Sequence, residues 1–69
     1  MTVQSDLKKA LAAAESAKGS YATFAAATED QMAKSMFMQM SQDMDSHIQQ
    51  LHSRLSYLSS VNPMNQNRQ

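Results

Sequence analysis

The side chains with most capacity for chemistry lie between Met32 and His52. Methionines stand at 32, 36, 38, 40 and 44, His47 follows Met44 by one helical turn, and Asp43 precedes His47 by four positions. Thioethers with an imidazole are the kind of donor set that soft cations such as Cu(I) select. Met32, Met36, Met40 and Met44 recur every fourth residue and so run along one side of a helix. The same spacing also suits packing, because methionine is an adaptable filler of helix interfaces. Packing is the reading adopted here, and Met38 falls off that line. Asp43 and His47 share a helical face, where a carboxylate and an imidazole meet in solvent far more often than they bind a metal. His47 and His52 are five apart, do not share a face, and make a poor chelate.

Other constellations fail on residue type. A carboxylate-bridged di-iron bundle needs Glu-x-x-His, but the residue three before His47 is Met44, and the only glutamates are Glu15 and Glu29. No Ser–His–acid arrangement is readable from the spacing. Gly19 is the only glycine, so no phosphate-cradling loop exists. With no cysteine, disulfides, zinc–thiolate sites and thiol chemistry are all excluded. No catalytic residue, no metal ligand and no cofactor is assigned, and the chain reads as non-enzymatic.

Six basic and six acidic residues give a formal charge of zero. A surface for nucleic acid would carry a basic excess, so no nucleic-acid partner is expected. No apolar run approaches the ~20 residues of a membrane span, and the opening MTVQSDLKK has no secretory h-region. The expectation is a soluble, cytoplasmic protein with no transmembrane segment.

The elements that must position these residues are two helices. Thr2 is a good N-cap and Asp6 suits a first turn. Val3, Leu7, Ala10, Ala14, Ala17, Tyr21 and Phe24 then alternate in steps of four and three, the spacing of a heptad seam, with Leu11 and Ala25 widening it. This predicts helix 1 over about 3–27. Thr28 and Gln31 have capping-box spacing, and Glu29 and Asp30 add negative charge to a first turn. The apolar phase breaks at 28–32, which predicts a tight corner there. Helix 2 is expected over about 29–60, with Ala33, Phe37, Met40, Met44, Ile48, Leu51, Leu55 and Leu58 inward and an Asp30–Lys34 pair on the outside. Asn62-Pro63 is a stop signal, and 62–69 is expected to be a flexible C-terminal tail. Gly19 reads as tolerated within helix 1, and Tyr21 and Tyr57 as lying at core edges.

Several fragments resemble one family. They are Met1-Thr2-Val3 with Ser5, Phe24-Ala25 with Thr28, Ala33-Lys34 with Met36-Phe37, and Leu51, Arg54, Leu55 and Leu58 ahead of Pro63. In this order and spacing the chain resembles the domain of unknown function 1657 family, short proteins of endospore-forming Firmicutes. The resemblance implies a small helical protein linked to sporulation. It also implies spore germination or channel membrane proteins as partners, since family genes often neighbour theirs, and a location in the cytoplasm, the forespore or the spore. The chain departs from the family around Pro63: Ser59, Ser60, Val61 and Asn62 precede it where acidic residues are usual, and Met64 follows where the family has a tyrosine.

The expected fold is all-α. Residues 1–61 form an antiparallel two-helix hairpin, which pairs with a second copy into a four-helix bundle or enters a larger homo-oligomer. Leu7, Leu11, Phe24, Met36, Phe37, Met40, Met44, Ile48, Leu51, Leu55 and Leu58 are the residues expected to form the oligomer interface. The expected function is self-assembly or partner binding. The alternative is a soft-metal or small-ligand carrier using the methionines of helix 2. Binding to a membrane surface is a weaker third reading, because no lysine-rich polar face accompanies the apolar one.

Overall fold

A computed structural model describes residues 2–61 as two α-helices, α1 (Val3–Ala27) and α2 (Gln31–Val61), packed antiparallel. The Asn62-Pro63 stop and the tail lie outside the described residues. Thr2 opens α1 as its spacing predicts: its Oγ1 accepts the Ser5 N–H at 3.0 Å and its carbonyl accepts the Asp6 N–H at 3.0 Å. Alanines, the best helix formers, carry the middle of α1. The helix ends where Thr28 turns extended, at φ −77° and ψ 143°, while still donating its N–H to the Phe24 carbonyl.

The corner differs from the expected capping box. Asp30, not Thr28, caps α2: its Oδ2 accepts the Ala33 N–H at 2.8 Å, and its carbonyl accepts the Lys34 N–H at 2.9 Å. Thr28 Oγ1 accepts the Asp30 N–H at 3.2 Å instead, holding the cap in place. The helix therefore begins at Gln31, two residues after Glu29. Aspartate is at least as good an N-cap as threonine, and Thr28 already closes α1. With its carboxylate so engaged, Asp30 is not the partner of Lys34. The Lys34 ammonium reaches back across the corner to the Ala25 carbonyl oxygen at 2.7 Å. A cation there satisfies a late carbonyl of α1 and complements the negative end of its dipole.

On α2 the inward positions are those the spacing predicts: Ala33, Phe37, Met40, Met44, Ile48, Leu51, Leu55 and Leu58 are all partly buried. On α1 the partly buried or buried positions are Gln4, Ser5, Leu7, Leu11, Ala14, Ala17, Lys18, Tyr21 and Ala25, with Thr28 following at the cap; of the predicted seam, Leu7, Ala14, Ala17 and Tyr21 are among them. This corrects the seam of helix 1, since Val3, Ala10 and Phe24 are exposed. The apolar arc of α1 is wider than one neighbour covers. α2 lies to one side of the arc's centre, displaced by about 50°, half the ~100° between successive residues. Along Gln4, Leu7, Leu11, Ala14, Lys18, Tyr21 and Ala25 the steps alternate three and four. Along α2 two fours fall together at Met40–Met44–Ile48, and His47 remains exposed. A four-residue insertion of this kind locally unwinds a heptad pairing.

The two helices make a single layer of 53 × 17 × 13 Å. Phe24 and Phe37 meet near the corner with ring centroids 5.5 Å apart. Among the described residues only Ala25 is buried, and no side chain is fully enclosed. Domains ordinarily close a core between at least two layers, so one layer leaves this core open. Gly19 has open space where a Cβ would stand, so it serves no close approach and is simply tolerated.

Candidate functional site

The layer has two unlike faces. On one, polar links cross between the helices at three places. Lys34 bonds the Ala25 carbonyl at 2.7 Å, Ser41 Oγ donates to the Lys18 carbonyl at 3.3 Å, and Lys18 Nζ pairs with Asp45 Oδ1 at 2.6 Å. Lys34, Ser41 and Asp45 each follow an inward residue of α2 by one position, so helical periodicity puts them on the same flank. On α1 the corresponding flank carries Lys8, Glu15 and Ala22. This face is polar and tied.

The other face is made by residues that stand one position before an inward one and, where an earlier inward residue exists on the helix, three after it. On α1 these are Val3, Ala10, Ala17 and Phe24. On α2 they are Met36, Asp43, His47 and Arg54. Both helices are right-handed and they run in opposite directions, so these two sets fall on the same side of the layer. Val3, Phe24 and Met36 are 59%, 49% and 60% exposed, and Met32, next to them at the corner, is 77% exposed. This face is mixed: Val3, Ala10, Ala17, Phe24, Met32 and Met36 are apolar, whereas Asp43, His47 and Arg54 are polar.

The expected interface residues divide between two roles. Leu7, Leu11, Phe37, Met40, Met44, Ile48, Leu51, Leu55 and Leu58 lie between the helices, partly buried. Phe24 and Met36 lie on the open face. Val3, Ala10 and Ala17 belong to that face too. Their apolar spacing is plain in the sequence, but its direction relative to helix 2 is not.

The methionine line is split. Met40 and Met44 are partly buried, whereas Met32, Met36 and Met38 are exposed. Asp43 Oδ1 accepts a hydrogen bond from Gln39 Nε2 at 2.9 Å rather than from His47. Among the described residues no group of three or more His, Cys, Asp or Glu gathers as a metal site. No helix among them is long and apolar enough to cross a membrane. Tyr57 is exposed, under an Arg54 guanidinium 5.2 Å from its ring centroid. An open furrow of about 490 Å³ is lined by Ser46, Gln49, Gln50, Ser53, Arg54 and Tyr57. All six belong to α2, so this is relief on one helix and not an enclosed site.

A family model described as Protein of unknown function (DUF1657) matches residues 7–55, well over half of the chain and including the corner. No curated protein and no solved structure matches the chain.

Proposed function

We propose that this chain, which belongs to the DUF1657 family of proteins of unknown function, is a non-enzymatic assembly protein whose fold is completed by a second copy of itself. The observation that carries the reading is the open core: one layer, with Ala25 its only buried residue among those described. A chain below roughly 70–80 residues seldom holds more than about 3–5 kcal/mol in one core, even when that core is closed. Burial of apolar surface contributes roughly 25 cal/mol per Å², so covering ~400 Å² per chain supplies about 10 kcal/mol before the entropy of association. That is comparable to the whole stability of a small domain. Folding and association are then coupled. The melting temperature rises with protein concentration, and sedimentation at micromolar concentration gives a dimer or larger species. A folded monomer with a concentration-independent melt refutes the proposal.

The proposed setting is sporulation, in the cytoplasm or the forespore, with spore germination or channel membrane proteins as possible further partners. Its support is the resemblance carried by Met1-Thr2-Val3, Phe24-Ala25, Ala33-Lys34 and the leucines of helix 2. A pull-down from sporulating cells with the full chain as bait tests it. A soft-metal carrier has weaker support, because Met36 faces solvent while Met40 and Met44 are partly buried between the helices. Elemental analysis of purified protein that finds stoichiometric copper would favour the carrier.

A further inference from the structure

We infer that Met32, Met36 and Met38 are sites of sulfoxidation by peroxides, and that the hairpin takes up an oxygen atom at each of them with its fold retained. This goes beyond the self-association proposed above and does not rest on it.

Thioethers and branched aliphatic side chains are placed differently on this hairpin. Every leucine and isoleucine of the two helices is partly buried. Met32, Met36 and Met38 are instead 77%, 60% and 51% exposed. Methionine and leucine are close in volume and in helix propensity, so packing and propensity alone do not sort them this way. What methionine adds at an exposed position is a polarisable sulfur.

The placement of the three sulfurs separates the uses open to them. Met32 and Met36 stand four apart, on the side of α2 away from the polar links. Met38 lies two residues beyond Met36, about 200° further round the helix. It shares the flank of Lys34, Ser41 and Asp45, whose bonds tie the two helices together. A soft cation needs its thioethers to converge on one point, and a docked partner needs them on one face. These three do neither. Oxidation needs only that each sulfur meets solvent by itself. The chain has no cysteine and no tryptophan, so neither a thiol nor an indole competes for the oxidant.

With hydrogen peroxide the sulfur lone pair attacks one oxygen. An S–O bond forms as the O–O bond breaks. The proton on the attacked oxygen passes to the departing one, which leaves as water. Sulfur is oxidised by two electrons and the peroxide is reduced by two. The product is a sulfoxide, more polar than the thioether and returned to it by sulfoxide reductases. At Met32, Met36 and Met38 the new oxygen meets water. At Met40 and Met44, which are partly buried between the helices, it would oppose the packing of the layer.

Timed exposure of the full chain to hydrogen peroxide, read by peptide mapping with mass spectrometry, tests this. Met32, Met36 and Met38 are expected to gain one oxygen each, several-fold faster than Met40 and Met44. The helical circular-dichroism signal is expected to stay unchanged until those two react. Met1 and Met64 lie outside the described residues and are read on separate peptides. Equal rates at all five overturn the inference, as does loss of helicity while Met40 and Met44 are still thioethers. Fast reaction at Met38 alone also overturns it, by showing the side that carries Met32 and Met36 to be covered. A second chain with Met40→Leu and Met44→Leu, roughly volume-conserving changes, is expected to keep its helical signal through excess peroxide. Loss of that signal would place the damage at the exposed sites and overturn the inference.

Discussion

Lys34 donates its ammonium to the carbonyl oxygen of Ala25 across the corner, at 2.7 Å. Ala25 is also the one buried residue among those described, so this bond ties the entry of α2 to the most protected point of α1. Lys34→Met keeps the apolar stem and removes the donor. It is expected to lower stability by roughly 1–2 kcal/mol, the range for a hydrogen bond from a charged group. Chemical denaturation at fixed protein concentration measures this, and an unchanged midpoint would show the bond to be incidental.

The cap of α2 separates two neighbouring substitutions. Asp30→Ala removes the oxygen that accepts the Ala33 N–H at 2.8 Å and is expected to cost about 1 kcal/mol. Gln31→Ala touches no cap and should fall within about 0.5 kcal/mol of the parent. Equal effects at both positions would restore the capping box that the sequence alone predicts.

Gly19→Ala is expected to stabilise the protein by up to about 1 kcal/mol, through helix propensity alone. Nothing lies within 4 Å of the added methyl group. The Thr23 hydroxyl bonds the Gly19 carbonyl oxygen at 2.9 Å, a backbone acceptor that the substitution retains. A lowered melting temperature would indicate that some partner approaches α1 at this position.

Leu51→Asp acts inside the layer. Leu51 is partly buried between the helices, so a carboxylate there opposes the hairpin itself, by roughly 3 kcal/mol or more. Far-ultraviolet circular dichroism should show most of the helical signal lost at micromolar concentration. Full helicity with lost association would instead place Leu51 on the outer interface alone.

The inward set of α2 is legible in the sequence because Phe37, Met40, Met44, Ile48, Leu51, Leu55 and Leu58 are large, and polar residues stand between them. The phase of α1 is not. Val3, Ala10, Ala17 and Phe24 are apolar, whereas the positions that face α2 include Gln4 and Lys18. Hydrophobicity reports the centre of the apolar arc of α1, and α2 packs to one side of that centre. The corner falls within the predicted 28–32, but its cap is misassigned for a related reason. Thr28 and Asp30 are both good caps, and only the geometry shows that the first closes α1 while the second opens α2.

The single open layer also sets a time scale. Its contacts begin near the corner, with Lys34 on Ala25 and Phe24 on Phe37, and reach outward to Lys18 and Asp45. The contacts nearest the corner close the shortest loops and those further out can form on them, so the hairpin can zip from the corner within roughly microseconds to milliseconds. In the proposed assembly the second copy arrives by diffusion. At ~1 μM, an association rate of about 10⁵–10⁷ M⁻¹s⁻¹ makes that wait roughly 0.1 to 10 seconds. On the proposed assembly, encounter and not zipping would govern how quickly the finished protein appears, and dilution would slow its appearance while leaving the zipping of each hairpin untouched.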